Sequence, residues 1–397
     1  MNVSVIAIGD ELLIGQVVDT NSGDIARMLQ PHGWSVNDVQ VVGDSSEAIL
    51  TAIRRGFEIS DVVLTTGGLG PTKDDITKSV LCRFFGGELR EDISVLENVK
   101  EVVANKPSRF TAGHRMCAGC GAPPVARMIM RALKEGDHAV VSNATGCMEV
   151  SSCIYPYTSW SSSYIHTAFE NAAATCSGVE AAYNAMKRKG SLKEDETFKF
   201  IAFGGDGGTY DIGLQSLSGA MERGHDMVYV CYDNGAYMNT GIQRSSATPM
   251  YADTTTTPVG SQSNGKMQNR KDLASIIADH DVPYVAQTTF TADFKDLHRK
   301  AEKAIYTEGA CFLNIMTPCP RGWRYETAEI MKICKLAVDT CYWPMFEVEN
   351  GKWTLTYEPK KKLPIEDFLR EQGRFKHLFN PGNEALLEQF QKEVDRR

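Results

Sequence analysis

Two cysteines separated by two residues are the sharpest short signal in the sequence. Cys117 and Cys120 lie in the run Cys-Ala-Gly-Cys-Gly, whose glycines leave backbone N–H groups free to face sulfur. Two such thiolates can bind one metal centre, which then needs two more ligands. Cys147 and Cys319, in turns flanked by glycine or proline, are the candidates. Four cysteines can hold zinc or an iron–sulfur cluster, and a structural pair without metal is also possible; the spacing alone does not choose.

A second chemical signal is a pair of polar loops that follow two successive apolar runs. Asp206 lies in Gly-Asp-Gly-Gly after the first run, and Asn234 begins the loop after Asp233 at the end of the second. A carboxylate and an amide oxygen at neighbouring strand ends can share one hard cation, while glycine lets a diphosphate approach backbone amides. The pair of loops therefore predicts Mg²⁺ with a diphosphate. For Gly-Asp-Gly-Gly alone, a purely structural turn is the alternative.

Composition restricts the classes of protein that could carry these loops. The chain has 397 residues, of which 42% are hydrophobic and 23% charged, which is typical of a globular protein. No stretch approaches the ~18 apolar residues of a membrane helix, and the start of the chain lacks the pattern of a signal peptide. We therefore expect a cytoplasmic protein without membrane contacts. Its eleven cysteines, an odd number, do not indicate a disulfide framework. The other cysteines of the second part are expected to be small buried hydrophobes: Cys153, Cys176, Cys231, Cys311, Cys334 and Cys341.

Charge and cysteine content divide the chain near residue 105. Residues 1–104 contain 16 Asp and Glu against 8 Lys and Arg, so the whole net charge of −8 falls on this segment. Only Cys82 precedes the division. We predict three regions: 1–104, 105–345, and a C-terminal extension over 346–397 with subunit contacts. The absence of a basic excess argues against nucleic acid as a main partner.

Alternating apolar runs and amphipathic segments predict an α/β fold on both sides of that division. Three strand–helix units in residues 1–104 imply a parallel sheet, with strands at Val3–Ile8, Trp34–Val42 and Asp61–Thr66 and helices at Asn21–Gln30, after Asp44, and from about Asp74 to Phe85. The second part contains a βαβ unit whose polar loops lie at the carboxyl ends of the strands. Its predicted strands are His138–Ser142, Phe198–Phe203 and Met227–Tyr232, and its predicted helices lie near Pro124–Lys134, within Phe169–Arg188 and up to Arg223. A long loop at Thr254–Gly265 and a hairpin at Asn350–Gly351 follow.

From about residue 106 to its end, the sequence resembles the β subunits of 2-oxoacid:ferredoxin oxidoreductases, most closely those acting on pyruvate. Seven ordered motifs carry the resemblance: GHRMCAGCG from Gly113, NATGCMEV from Asn143, YPYTSW from Tyr155, IHTAFENAAA from Ile165, GGDGGTYDIG from Gly204, DNGAYMNTGIQRSSATP from Asp233, and PCPRGW from Pro318. The resemblance implies a parallel-sheet domain that binds thiamine diphosphate.

The resemblance also implies specific site residues. Cys117, Cys120, Cys147 and Cys319 match the ligands of one [4Fe–4S] cluster. Asp206, the side chain of Asn234 and the carbonyl of Ala236 match the Mg²⁺ ligands. Asn239, taken as catalytic, and Thr240 match residues beside the thiazolium ring, and Gly205, Gly207 and Gly208 complete the cofactor loop. Helix packing or capping explains His166, Phe169 and Glu170 as well as cofactor contact does.

The implied reaction is the oxidative decarboxylation of pyruvate to acetyl-CoA and CO₂. Electrons pass through the cluster to ferredoxin, and the acetyl group passes to coenzyme A. In this family the glutamate that activates the thiamine belongs to the α subunit, so the chain is expected to be inactive alone. The sequence lacks the cysteine run of two-cluster ferredoxins, so electrons must leave through another subunit or domain, of γ or δ type. Another 2-oxoacid:ferredoxin oxidoreductase and a zinc-stapled binding module are the alternatives.

Residues 1–104 resemble a different family, the N-terminal domain of CinA, which has the molybdopterin-binding fold. AIGDELLIGQVVDTNS from Ala7 and TTGGLGPTKDDIT from Thr65 carry this resemblance. It implies a site for a pterin or a nucleotide phosphate at Gly67, Gly68, Gly70, Asp74 and Asp75, where amides could hold an anion; a capped helix start is the alternative. The segment is shorter than its family's domain, so we expect a partial domain. A hydrolase or pterin-binding module here is the competing hypothesis for the function of the chain.

Overall fold

The computed structural model describes residues 1–67, 76–88, 108–193, 195–290 and 294–396. The chain divides into two compact units, Met1–Leu96 and Glu97–Arg397. The sequence-based boundary between residues 104 and 105 stays a prediction. None of the helices within the described ranges is both long and apolar enough to cross a membrane.

The smaller unit contains a parallel sheet, as its three predicted strand–helix units require. Its described strands are β1 (Asn2–Ile8), β2 (Ser35–Val42) and β3 (Val62–Thr66), in the order β2-β1-β3. Ser45 caps a helix by accepting a hydrogen bond from the N–H of Ala48 at 3.2 Å. The helices span Asp10–Leu13, Asn21–Leu29, Ser46–Ile59 and Thr77–Phe84, with a 3₁₀ turn at Gln30–His32. Of the predicted anion site, Gly67 ends the sheet region, whereas Gly68, Gly70, Asp74 and Asp75 lie outside the described residues.

The larger unit is a mostly parallel sheet with helices on both faces, which confirms the predicted α/β class. In its described part eight strands pair in the order β13-β12-β10-β11-β7-β6-β4-β5, and the antiparallel pairings are the two that β12 makes, with β10 and with β13. The strands are β4 (His138–Ala144), β5 (Ser163–Thr167), β6 (Phe198–Gly205), β7 (Met227–Asp233), β10 (Tyr284–Thr289), β11 (Ala310–Met316), β12 (Phe346–Glu349) and β13 (Lys352–Leu355), and a small separate hairpin is formed by β8 (Val259–Gly260) and β9 (Ser263–Asn264). The helices span Ala122–Arg131, Cys147–Ser152, Ala172–Arg188, Leu214–Glu222, Leu273–Ala278, Phe294–Tyr306, Pro320–Trp323, Ile330–Asp339, Ile365–Arg370 and Glu384–Arg396, with 3₁₀ turns at Thr327–Glu329 and Gly373–Phe379.

The central strand β7 shows why the sheet needs helices on both faces. All seven of its residues are buried. Val228, Val230 and Tyr232 belong to one hydrophobic cluster, whereas the alternate residues Met227 and Tyr229 belong to the cluster on the other face. A strand buried on both faces reads as a continuous apolar run, as this one does. The first cluster continues to Val394, so the residues beyond 345 pack with the same sheet.

Local structure departs from the predicted elements at two places. A π-helical turn, Gly207–Ile212, precedes the helix that was expected to follow the Gly-Asp-Gly-Gly loop directly. The N–H of Gly213 bonds to the carbonyl of Gly208 at 2.8 Å, and a Cβ at Gly213 would lie only 2.2 Å from that oxygen. The predicted long loop at Thr254–Gly265 includes the β8–β9 hairpin. The hairpin at Asn350–Gly351 is confirmed, with positive φ angles of 47° and 77°.

Candidate active site

The candidate site lies where β6 and β7 end side by side. The two strands are parallel neighbours, with Gly205 in register with Tyr232, so the loops that follow them meet at one edge of the sheet. One pocket at this edge is lined by every residue that the sequence analysis assigns to the cofactor: Gly205, Asp206, Gly207, Gly208, Asn234, Ala236, Asn239 and Thr240. Cys147 lines the same pocket.

Asp206 is a buried carboxylate held by two hydrogen bonds. Only 1% of its surface is exposed. The hydroxyl of Ser245 donates to its Oδ2 at 2.5 Å, and the backbone N–H of Asn234 donates to its Oδ1 at 3.2 Å. Burial, and after it the neighbouring Asp233 carboxylate, raise the pKa of Asp206 to about 8. A buried carboxylate in such surroundings is best stabilised in its ionised form by a bound cation.

The side chain of Asn234 completes a set of oxygen atoms suited to that cation. One end of its amide lies 2.9 Å from Asp206 Oδ1 and 2.9 Å from the carbonyl oxygen of Ala236. With its nitrogen at this end, the amide donates a hydrogen bond to each of the two oxygens, which is the arrangement that suits the chain by itself. With its oxygen turned to this end, the amide forms a set of three acceptor oxygens together with Asp206 Oδ1 and the Ala236 carbonyl, which is the arrangement that a bound cation requires. Neighbouring ligands of an octahedral Mg²⁺, at ~2.1 Å from the metal, stand about 2.9 Å apart. The three residues therefore fit Mg²⁺.

Close packing explains the glycines of the cofactor loop. A Cβ at Gly207 would lie 2.4 Å from the ring of Tyr237, and one at Gly208 would lie 2.9 Å from the carbonyl oxygen of Phe169. The hydroxyl of Tyr237 donates to the carbonyl of Gly207 at 2.8 Å. Glycine thus permits the packing of the pocket wall, and it also leaves the backbone amides accessible to an anion.

Several pocket residues were not assigned from the sequence. Of the ambiguous set His166, Phe169 and Glu170, only Phe169 lines the pocket. His166 is half-exposed, 2.9 Å from the hydroxyl of Thr145. The further lining residues are Thr145, Gly146, Tyr232, Tyr237 and Met238. All but Tyr232 stand in loops after β4 or β7, so the rule that open sheets bind ligands at the carboxyl ends of their strands could have found them.

The structure brings the four predicted cysteines into one neighbourhood. The N–H of Gly121 bonds to the carbonyl of Pro318 at 3.1 Å, which ties the Cys117–Gly121 loop to the segment that carries Cys319. Cys147 begins a helix after β4. The thiol of Cys147 interacts electrostatically with the other three cysteines of the set. The thiol of Cys120 interacts in the same way with Cys117 and Cys319. All eleven cysteines are free thiols.

Burial and directed N–H groups characterise this thiol cluster, which consists of Cys117, Cys120, Cys147 and Cys319. Burial raises the pKa of Cys120 and of Cys147 to about 12 and also raises the pKa of Cys319. Ligation must therefore displace their protons. Backbone N–H groups face sulfur, as at Gly322, whose nitrogen lies 3.4 Å from Cys319 Sγ. Four thiols, two of which have backbone N–H groups directed at sulfur, form a donor set that suits an iron–sulfur cluster.

The same thiols do not form a single-ion site within the described residues. Among the ranges that the structure describes, no three His, Cys, Asp or Glu side chains lie close enough together to hold one metal ion. The thiolates of a cubane cluster each bind a different iron, whereas a structural zinc holds all four ligands at about 2.0–2.3 Å. The two kinds of centre therefore place different demands on the spacing of the thiols.

The thiol cluster and the cofactor pocket share residues and hydrogen bonds. Cys147 belongs to both. The indole N–H of Trp323 donates to the carbonyl of Asn234 at 2.6 Å, and the N–H of Thr317 donates to the carbonyl of Asp233 at 2.7 Å. The segment around Cys319 is thereby attached to the loop that carries the Mg²⁺ ligands.

Comparison with protein families finds two matches, one toward each end of the chain. Residues 4–148 match a family described as Probable molybdopterin binding domain. Residues 144–315 match the Thiamine pyrophosphate enzyme, C-terminal TPP binding domain family. The second match covers the whole of the loops after β6 and β7.

Two related subunits and one solved structure align with large parts of this chain. Pyruvate synthase subunit PorB of Thermotoga maritima is 50% identical over 305 residues, which are 76% of this chain and 94% of that protein. Ketoisovalerate oxidoreductase subunit VorB of Pyrococcus furiosus is 42% identical over 307 residues, 77% of this chain and 97% of that protein. A solved 2-oxoglutarate:ferredoxin oxidoreductase from Magnetococcus marinus aligns over 55% of this chain and 70% of its own, at 23% identity and a TM-score of 0.46.

The PorB and VorB relatives are 42–50% identical to this chain over nearly the whole of their own lengths. Together with the thiamine pyrophosphate domain, they assign the larger unit to one group of enzymes. The chain belongs to the pyruvate synthase PorB family of thiamine pyrophosphate enzymes, and it carries a molybdopterin-binding-like domain ahead of that part.

Proposed function

We propose that this chain is the β subunit of a pyruvate:ferredoxin oxidoreductase. In this assignment the enzyme converts pyruvate and coenzyme A into acetyl-CoA and CO₂, and electrons pass through a [4Fe–4S] cluster to ferredoxin. Membership of the PorB family supports the assignment. The observation that carries it is the position of Cys147, which lines the cofactor pocket and also belongs to the thiol cluster.

The residues of the pocket have distinct roles in this proposal. Asp206, Asn234 and the carbonyl of Ala236 would hold Mg²⁺, because one end of the Asn234 amide lies 2.9 Å from each of the other two oxygens, which is the spacing of Mg²⁺ ligands once the amide oxygen is turned to that end. Backbone amides of Gly207 and Gly208 would face the diphosphate. Bound thiamine diphosphate supplies the electron sink for decarboxylation, which protein side chains cannot supply.

Other residues would place the substrate end of the cofactor and the exit for electrons. Asn239 and Thr240 line the pocket, and we assign them to the thiazolium end, with Asn239 in contact with the reacting atoms. Cys117, Cys120, Cys147 and Cys319 would hold the cluster. Because Cys147 lies in the wall of the pocket, an electron leaving the cofactor would have a short path to iron.

The proposal requires partner chains. The lining of the described pocket contains no glutamate, and we assign the glutamate that activates thiamine to an α subunit. Subunits or domains of γ or δ type would carry electrons onward to ferredoxin. A branched 2-oxoacid is the alternative substrate, because VorB, a ketoisovalerate oxidoreductase subunit, is 42% identical to this chain over 97% of its own length.

The test is reduction of a viologen dye by the chain co-expressed anaerobically with its α subunit. We expect dye reduction to require both pyruvate and coenzyme A, and to stop when either is omitted. The same complex carrying Asp206→Ala is the matched control, because it should lose turnover and keep its iron. Reduction with 2-oxoisovalerate but not with pyruvate would assign the branched substrate. A complex that contains thiamine diphosphate and iron but reduces the dye with neither acid would contradict the proposal.

A further inference from the structure

Tyr232 is a buried tyrosine whose O–H donor has no acceptor within the described chain. It stands one residue before the end of β7 and is 1% exposed. The backbone N–H of Met148 faces its hydroxyl oxygen, and the hydroxyl donates no hydrogen bond to any of the residues that the structure describes. Buried donors are nearly always paired, so an unpaired one in a native structure needs an explanation.

The position of Tyr232 places this hydroxyl between the cofactor loop and the thiol cluster. Its ring lies 3.3 Å from where a Cβ of Gly205 would stand, and its hydroxyl oxygen lies 2.5 Å from where a Cβ of Gly146 would stand. Gly146 directly precedes Cys147, and Tyr232 and Cys147 both line the cofactor pocket. The thiol of Cys147 is the ionisable group that interacts most strongly with the tyrosine. Glycine at 146 and 205 thus leaves the space that the tyrosine fills.

A second tyrosine of the same strand shows what an ordinary buried hydroxyl does here. Tyr229 is 2% exposed and faces the opposite side of the sheet. Its hydroxyl lies 3.1 Å from Oγ1 of Thr209, within hydrogen-bonding distance. The hydroxyl of Tyr229 is therefore accounted for by a contact inside the chain. The hydroxyl of Tyr232 instead lies beside Cys147 and donates to none of the described residues.

We propose that Tyr232 is a positioning residue for electron transfer, whose hydroxyl donates a hydrogen bond to Cys147 sulfur when that thiolate ligates the cluster. This inference depends on the proposed function. The cluster gains one electron on reduction, from [4Fe–4S]²⁺ to [4Fe–4S]⁺, and no proton moves, because the hydroxyl keeps its own. A donor stabilises the reduced form more than the oxidised form, since the reduced cluster places more negative charge on sulfur. The hydrogen bond therefore raises the reduction potential.

The test is a redox titration of the cluster, followed by electron paramagnetic resonance, in the complete complex of full-length chain and partner subunits. Tyr232→Phe keeps the ring and removes only the hydroxyl. We expect it to lower the potential by at least a threefold change in the equilibrium constant, about 28 mV at about 59 mV per tenfold for one electron. Tyr229→Phe is the matched control and should leave the potential unchanged. Iron content and thiamine diphosphate content should equal those of the native complex in both variants.

The outcomes separate this inference from the proposed function. An unchanged potential in Tyr232→Phe, with four irons retained, overturns the hydrogen bond and leaves the assignment of the enzyme intact. An equal shift in Tyr229→Phe also overturns it, because the effect would then follow from any buried hydroxyl lost from β7. A native complex without iron overturns the cluster assignment and this inference together. If Tyr232→Phe alone loses its iron, Tyr232→Leu is the second variant, because leucine also lacks a donor. Retained iron and a lowered potential in Tyr232→Leu support the hydrogen bond, and an unchanged potential overturns it.

Discussion

The carboxylate of Asp206 is the residue on which the cofactor assignment depends most directly. It is buried, its pKa is raised to about 8 by burial and by Asp233, and its Oδ1 lies 2.9 Å from one end of the Asn234 amide. Burial of the ionised carboxylate beside Asp233 costs stability in the absence of a cation and becomes favourable once a divalent ion neutralises the oxygens. A site built in this way should lose its ligand when a single oxygen is removed.

We therefore expect Asp206→Ala to abolish binding of thiamine diphosphate in the presence of Mg²⁺, while the cluster remains. Asn234→Ala should weaken binding to a smaller extent, because the charged Asp206 carboxylate stays in place. Ser245→Ala removes the hydrogen bond to Asp206 Oδ2 together with the one that Ser245 Oγ accepts from the N–H of Ala247, and the loss should be about 10–100-fold, as for other groups that orient metal ligands. Isothermal titration calorimetry measures all three. Native affinity in both Asp206→Ala and Asn234→Ala would show that the cation site is elsewhere.

The thiol cluster leads to a prediction about metal content. We expect four irons per chain after anaerobic purification, because four neighbouring thiols, with backbone N–H groups facing the sulfur atoms of Cys120 and Cys319, suit a cubane cluster. Cys147→Ser and Cys319→Ser should bleach the visible absorbance. Cys153→Ser is the matched control, since Cys153 is also a half-buried free thiol but stands outside the cluster. Stoichiometric zinc without iron would contradict the prediction.

At the scale of elements, the sequence could predict where the site lies better than how its walls are made. The apolar runs that became β6 and β7 end at Gly205 and Asp233, so the polar loops after them had to meet. The π-helical turn at Gly207–Ile212 could not be predicted, because it depends on the contact of Gly213 with Gly208. Tyr232 was counted as a strand residue. Its position over Gly146 depends on pairing between strands that are distant in sequence.

The loop after β7 is held by Lys266, a residue that the sequence analysis did not single out. The Lys266 ammonium is 1% exposed and donates to the carbonyls of Thr248, Ser246 and Asn269 at 2.5, 3.3 and 3.5 Å. It thus ties the segment that carries Ser245 to the rest of the fold. Burial lowers the pKa of Lys266 to about 8.

This lysine gives a prediction with a definite sign. The pKa is about 8 in the folded chain and about 10.4 when unfolded, so between these values the folded state binds fewer protons. Its contribution to stability therefore rises with pH in that window, by at most about 1.4 kcal/mol per pH unit. Lys266→Met lacks the titration. The melting temperature of the native chain minus that of the variant should increase from pH 7 to pH 9.5; a flat or falling difference would contradict the lowered pKa.

At the scale of the whole molecule, the two units differ in charge, in cysteine content and in the families they match. The smaller unit has a core cluster of Ile6, Ile8, Ile49, Ala52, Ile53 and Val80. It also exposes large apolar side chains, including Ile14 at 68%, Val18 at 79% and Met28 at 72%. A small core supports little independent stability, so this unit is expected to open more readily than the eight-stranded unit. Composition alone indicated the division, because all of the net charge precedes residue 105.

We predict that residues 1–104 are dispensable for the oxidoreductase. Every proposed ligand of the cluster, of Mg²⁺ and of thiamine diphosphate lies between Cys117 and Cys319, and the match to PorB covers 94% of that protein with 76% of this chain. A chain that begins at Asn105 should still assemble with the α subunit and reduce ferredoxin with pyruvate and coenzyme A, at a rate within about twofold of the full chain.

Brief proteolysis of the full chain should remove the smaller unit first and leave this activity, since the less stable unit opens more often. The competing hypothesis makes residues 1–104 the functional module, and co-expression of the shortened chain with the α subunit distinguishes the two. Loss of assembly or turnover with the cluster intact would show that the smaller unit is a working part of the enzyme.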